Sequence, residues 1–145
     1  MKLTQIISIN GVMAIALGIA LAVYAPLVMA AFGIADTPSE DIILYWNVAS
    51  FMRLFGATMF GYGILLWSLR SLISNPDVSA STLRGVLFGL LLTNGLGLFV
   101  AISQQFAVWQ STAGWLLVAI YAVFVLLYAY FLLTMTRSSG STGDD

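Results

Sequence analysis

Apolar residues in this chain come in runs too long for strand alternation and too continuous for one face of a water-facing helix. From Leu3 to Ala35 no residue is charged, and Ile6 to Ala25 is almost wholly apolar. A second run, Asp41 to Ser71, carries a charge, Arg53, inside its apolar part. From Gly85 to Thr136 charge is again absent, and only Ser103-Gln104-Gln105 and Gln110-Ser111-Thr112 interrupt the pattern. Roughly 20 apolar residues cross a hydrocarbon layer about 30 Å thick. The pattern predicts an all-α, four-helix transmembrane bundle with spans at about 4–25, 42–71, 80–105 and 112–135, and a flexible polar tail over 137–145.

The polar breaks carry their own local signals. Pro26 ends or kinks the first helix, because proline has no amide donor and its ring crowds the preceding turn; Leu27 to Ile34 is then a short segment near the membrane surface. A cleaved signal peptide, with Val28-Met29-Ala30 as its cleavage site, is the competing reading of this region. The apolar stretch is longer than the usual 7–15 residues of a signal core, and Ala14, Gly18 and Ala22 form a small-residue ridge suited to helix contact, so a retained helix is expected. Thr37 and Glu40 have capping-box spacing, with Pro38 at the first helical position. A helix from Pro38 to Ser71 measures about 50 Å at 1.5 Å per residue, so it must tilt or project beyond the bilayer. Asn75-Pro76-Asp77 marks a turn, with Asp77 or Ser79 available to cap the third span.

Composition sharpens this picture. The chain is 61% hydrophobic and 8% charged, with a mean hydropathy of +1.01, against about 25% charged residues in ordinary water-soluble domains. A net charge of −1 and no basic patch argue against nucleic acid as a partner. Histidine and cysteine are both absent, which removes the commonest general base, thiol nucleophiles and the commonest metal ligands. No metal or cofactor site and no catalytic residue is expected, and the reading is a non-enzyme. Charge distribution gives orientation: Lys2, Arg70, Arg84 and Arg137 all fall at one end of an even-numbered bundle, while the other two connections hold no lysine or arginine. The positive-inside rule makes that end, with both termini, cytoplasmic, in the inner membrane of the cell. Tyr45, Trp46, Trp109 and Trp115 then belong to the outer interface, and Trp67, Tyr128 and Tyr130 to the inner one.

Few residues within the spans can do chemistry. Arg53 lies in the outer third of the second span; an arginine costs about 2.5–3.5 kcal/mol at the bilayer centre and less near an interface. At 100° per residue it shares a stripe with Ala49, Ser50, Gly56 and Ala57, which turns it towards the bundle or an outward cleft. Gln104 and Gln105 lie at similar depth, and Asp36, Glu40 and Asp41 are further candidate partners. Arg53 either snorkels to headgroups or pairs with a carboxylate, contacts an anionic or carbonyl-bearing lipophilic ligand, or meets another subunit. Asn10 and Asn94 fall at matching depths and are placed to hydrogen-bond between the first and third spans, a contact worth about 0.6 kcal/mol; a polar conduction path is the alternative. Gly18, Gly56, Ala57, Gly61, Gly85 and Gly89 are assigned to helix packing, with homodimerisation through Gly85-Val-Leu-Phe-Gly89 as the second reading.

The segments Tyr24-Ala-Pro26, Phe32-Gly33-Ile34, Phe51-Met-Arg53-Leu-Phe-Gly56-Ala57 and Phe60-Gly61-Tyr-Gly63 resemble small four-helix bacterial membrane proteins of the DoxX-like kind. The resemblance covers the first half of the chain. It implies a four-helix inner-membrane bundle, with some relatives tied to redox or quinone-linked complexes, and Arg53-x-x-Gly56 as a packing and ligand-contact element. The combined expectation is an accessory or scaffold membrane subunit. Its partners would be membrane lipids, a lipid-like or quinone-like molecule near Arg53, and further copies or a larger membrane complex. A small oligomeric transporter or channel is the alternative.

Overall fold

The computed structural model describes residues 2–34 and 42–140, with side chains as far as Met135. About 90% of the described residues are helical, and none of them is in a strand. Five α-helices follow in order: α1 (Leu3–Val23), α2 (Ala25–Ala31), α3 (Ile42–Ile73), α4 (Ala80–Gln104) and α5 (Thr112–Gly140). A single π-helical turn, Gln105–Trp109, continues α4. Leu3–Val23, Ile42–Ile73, Ala80–Trp109 and Thr112–Met135 are each long and apolar enough to cross a membrane, the build of a multi-pass membrane protein. Large apolar side chains such as Phe51, Leu96, Phe99 and Leu126 stand about 70% exposed; lipid, unlike water, tolerates such a surface. The capping residues Thr37, Pro38 and Glu40, and the tail beyond Gly140, lie outside the described residues.

The chain breaks at Tyr24 into separate helices α1 and α2, and the short segment expected after Pro26 begins as a helix. Pro26 sits in the first turn of α2, where its missing amide proton costs nothing. The Leu27–Ile34 segment is therefore mostly helical. It closes with Gly33 at φ 70°, with Gly33 N donating to Ala30 O and Ile34 N to Met29 O. This paired closure needs a left-handed residue, which glycine supplies without strain.

Of the two ends of α4, the start follows expectation and the far end differs from it. Ser79 is the cap at its start, its Oγ accepting from Thr82 N at 3.2 Å. At its far end the helix runs through Ser103-Gln104-Gln105 and turns only at Gln110, where φ is 44°. The Gln105 amide nitrogen donates to Ser111 O at 3.0 Å, while its buried Oε1 has no hydrogen-bond partner, so only the nitrogen end of this side chain is tied to the turn beyond the helix. α5 then continues helical through residues 136–140, taking in the first part of the stretch expected to be a flexible tail.

Packing is concentrated in two antiparallel pairs, α1 with α3 and α4 with α5. In the first pair Gly11 lies against Gly63 and Gly18 against Gly56, while Ala25 of α2 and Ala49 of α3 are fully buried together. On both strands of the contact these small residues recur every seventh position, and Ile7, Ala14 and Leu21 are buried between them on α1. A seven-residue repeat keeps such a seam facing its partner along a left-handed wrap. A Cβ on Gly18 would stand 2.5 Å from the backbone nitrogen of Phe60 and 2.8 Å from Gly56 O. The backbones touch, so only glycine fits.

Gly61, Gly85 and Gly89 were expected in packing too, but a Cβ at any of them would meet nothing within 4 Å, and Ala57 is exposed. On α4 the buried positions are Leu87, Leu90, Asn94 and Ala101, and Gly85 and Gly89 fall on the far side of the helix at 100° per residue. Gly97 is the glycine α4 uses, seating the Tyr121 ring of α5. The main core cluster joins both pairs at the end where α1 begins, through Ile6, Ile7, Leu66, Leu87, Leu90, Phe124 and Tyr128. There Arg84 Nη2 donates to Met135 O at 3.1 Å, tying the start of α4 to the last turns of α5.

Candidate functional site

Towards the opposite end the two helix pairs separate. A cavity of about 440 Å³ lies between them, within the range of small-molecule sites. α1 supplies Asn10, Met13, Ala14 and Leu17; α3 supplies Thr58, Met59 and Tyr62; α4 supplies Thr93 and Asn94. α5 forms the largest wall, from Ala113 to Phe124, and Phe32 closes the end beyond α2. Phe32 is held edge-on against Trp109, with ring centroids 4.8 Å apart. Below the cavity the Leu66, Leu87 and Leu90 core fills the space between the pairs.

Most polar groups around this cavity are already engaged. The Asn10 amide donates to the Tyr128 hydroxyl at 2.9 Å. Asn94 donates to Leu90 O at 2.8 Å, Thr93 to Gly89 O at 2.9 Å and Thr58 to Leu54 O at 3.1 Å. The Tyr62 hydroxyl differs: its oxygen is buried beside the Asn94 amide, and no acceptor within hydrogen-bond distance takes its proton. A buried hydroxyl proton with no acceptor forfeits its hydration without compensation. Among the described residues, no aspartate, glutamate, lysine or arginine lines the cavity.

The sequence-derived candidates divide sharply. Asn10 and Asn94 do come together, as walls of one cavity, though each bonds elsewhere and not to the other. Arg53 is exposed on α3, away from the cavity, and makes no hydrogen bond or ion pair with a described residue. It stands beside the seam that runs through Ala49, Gly56 and Gly63, where the contact of α1 and α3 leaves no room for a guanidinium. Gln105 is buried but bonds Ser111 O, its Oε1 turned to Gly114; Gln104 is half-buried. Neither joins a cluster with Arg53, and Asp36, Glu40 and Asp41 lie outside the described residues. Tyr128, expected in the interfacial belt, is wholly buried on Asn10. Sequence reasoning missed Tyr62 and Tyr121; the available signal was two tyrosines deep within apolar runs, where a hydroxyl needs a reason to be.

Two further hollows lie elsewhere on the surface. A wholly apolar groove of about 330 Å³ runs between α1 and α5, a shape suited to an acyl chain. Lys2 and Arg70 share a shallow polar depression of about 690 Å³ with Thr4, Gln5, Ser8 and Ser74 at the end where α1 begins. Groups of histidine, cysteine, aspartate and glutamate able to hold a metal are absent among the described residues. No protein-family model, curated protein or solved structure matches this chain.

Proposed function

We propose that the protein is a non-enzymatic accessory subunit of the cytoplasmic membrane, oriented with both termini inside the cell, that holds a lipophilic small molecule between its two helix pairs. The observation that carries this reading is the 440 Å³ cavity, apolar over most of its wall yet holding the Tyr62 hydroxyl, whose proton has no acceptor. Apolar walls with a few fixed polar groups are the usual make-up of a small-molecule site. The position of the cavity moves the expected ligand contact from Arg53 to the middle of the bundle. A DoxX-like membership and a quinone-like ligand remain compatible with such a cavity. The transporter alternative draws less support, because the core around Leu66 and Leu87 blocks a polar path through one subunit.

The test is mass spectrometry of what co-purifies in mild detergent, with two variants. Leu117→Trp, which fills the cavity, is expected to lose the bound species, and Arg53→Leu to keep it. Retention in Leu117→Trp, or loss in Arg53→Leu alone, would place the ligand elsewhere.

A further inference from the structure

The geometry points to an uncharged ligand bearing a carbonyl-type acceptor oxygen, entering sideways from the bilayer between α3 and α4 and accepting a hydrogen bond from Tyr62. This rests on the reading of the cavity as a ligand site. The described walls argue against charge: they hold no ionised group that could pair with an ion, and an unpaired ion in such surroundings is strongly penalised. Polarity is demanded by Tyr62. Its hydroxyl is buried beside the Asn94 amide with no acceptor for its proton, while the nearby threonine hydroxyls each donate to a backbone carbonyl and each asparagine amide spends one N–H within the protein. The unmet need is therefore for an acceptor, which a neutral ketone, quinone, ester or amide C=O supplies.

Entry follows from the helix arrangement. α3 and α4 are joined through the core at one end and do not pack along their lengths. Thr58 on α3 and Thr93 on α4 are both exposed and both line the cavity, so they stand on the two sides of an opening in the apolar belt. A solute reaching that opening comes from the lipid. Water-soluble molecules of the same polarity would first have to cross the headgroups.

Matched probes test this: decyl phenyl ketone, with its carbonyl carbon isotopically labelled, and undecylbenzene, which has the same length and no acceptor. Both are measured against the native protein and Tyr62→Phe in nanodiscs, by binding titration and by infrared spectroscopy of the labelled carbonyl. The ketone is expected to bind the native protein with its carbonyl band shifted to lower wavenumber. Tyr62→Phe should abolish that shift and weaken ketone binding roughly three- to tenfold, the range for one net hydrogen bond, while undecylbenzene binding stays unchanged. Both probes binding with no band shift, or Tyr62→Phe weakening both equally, overturns the carbonyl assignment and leaves the cavity as a ligand site. Binding of undecylbenzene but not of the ketone likewise overturns the carbonyl assignment alone, and failure of both probes to bind the native protein overturns both readings. Because Tyr62→Phe keeps the ring and removes only a hydroxyl whose proton has no acceptor, the variant should fold about as stably as the native chain.

Discussion

Asn10 and Tyr128 show how a single polar pair is accommodated in an apolar interior. Their hydrogen bond joins the first helix to the last across the core cluster. Tyr128→Phe leaves the Asn10 amide without its acceptor and should destabilise the fold by about 1 kcal/mol in a denaturant titration. Adding Asn10→Leu to it should recover most of that loss, since no polar group is then stranded; equal damage from the double variant would mean that packing, not the bond, matters here. At this scale the sequence was only partly legible. Residue number gives depth in the membrane, so Asn10 and Asn94 were correctly paired in height. It does not give direction around the helix axis with enough precision. Arg53 is only 40° from Ala49 and 60° from Gly56 at 100° per residue, yet that offset separates a seam from an exposed flank.

Between helices, the same small residues have opposite meanings on different helices. Gly18→Ala should cost several kcal/mol or prevent folding, because its new methyl would collide with the backbone of Phe60. Gly85→Ala and Gly89→Ala should change the stability of the isolated subunit by less than about 0.5 kcal/mol, as exposed sites do. Thermal unfolding in detergent of the three variants side by side checks this, and a large loss at Gly85 would reveal a partner on that face. The Gly85-x-x-x-Gly89 spacing is the better-known motif, but it only says that a close approach is available. The working seam is spelled in sevens, Gly11–Gly18–Ala25 against Ala49–Gly56–Gly63, and it crosses the helix break at Tyr24, which hides it from inspection of either segment alone. The spans themselves were readable to within a few residues, because transfer into lipid depends on composition along a window. Their ends were less so, since the closure at Gly33 and the bond from Gln105 to Ser111 depend on three-dimensional geometry.

For the whole molecule, four membrane-length helices bring Lys2, Arg70 and Arg84 to one end of the bundle. A cytoplasm-dependent reporter fused after Asp145, or inserted between Asp77 and Val78, should be active, and one placed after Ser111 should not. Reversal of that pattern would invert the proposed orientation.

The two helix pairs also differ in compliance. Where main chains touch through glycine, sliding or spreading requires breaking the contact outright, so α1 and α3 behave as a fixed jaw. Between α4 and α5 the fit is made by rings and aliphatic side chains, which can change rotamer at small cost. Any swelling needed to admit a bulkier guest should therefore be taken up by the second jaw, and tolerance for guest size would be inherited from α5, not from the glycine-zipped half.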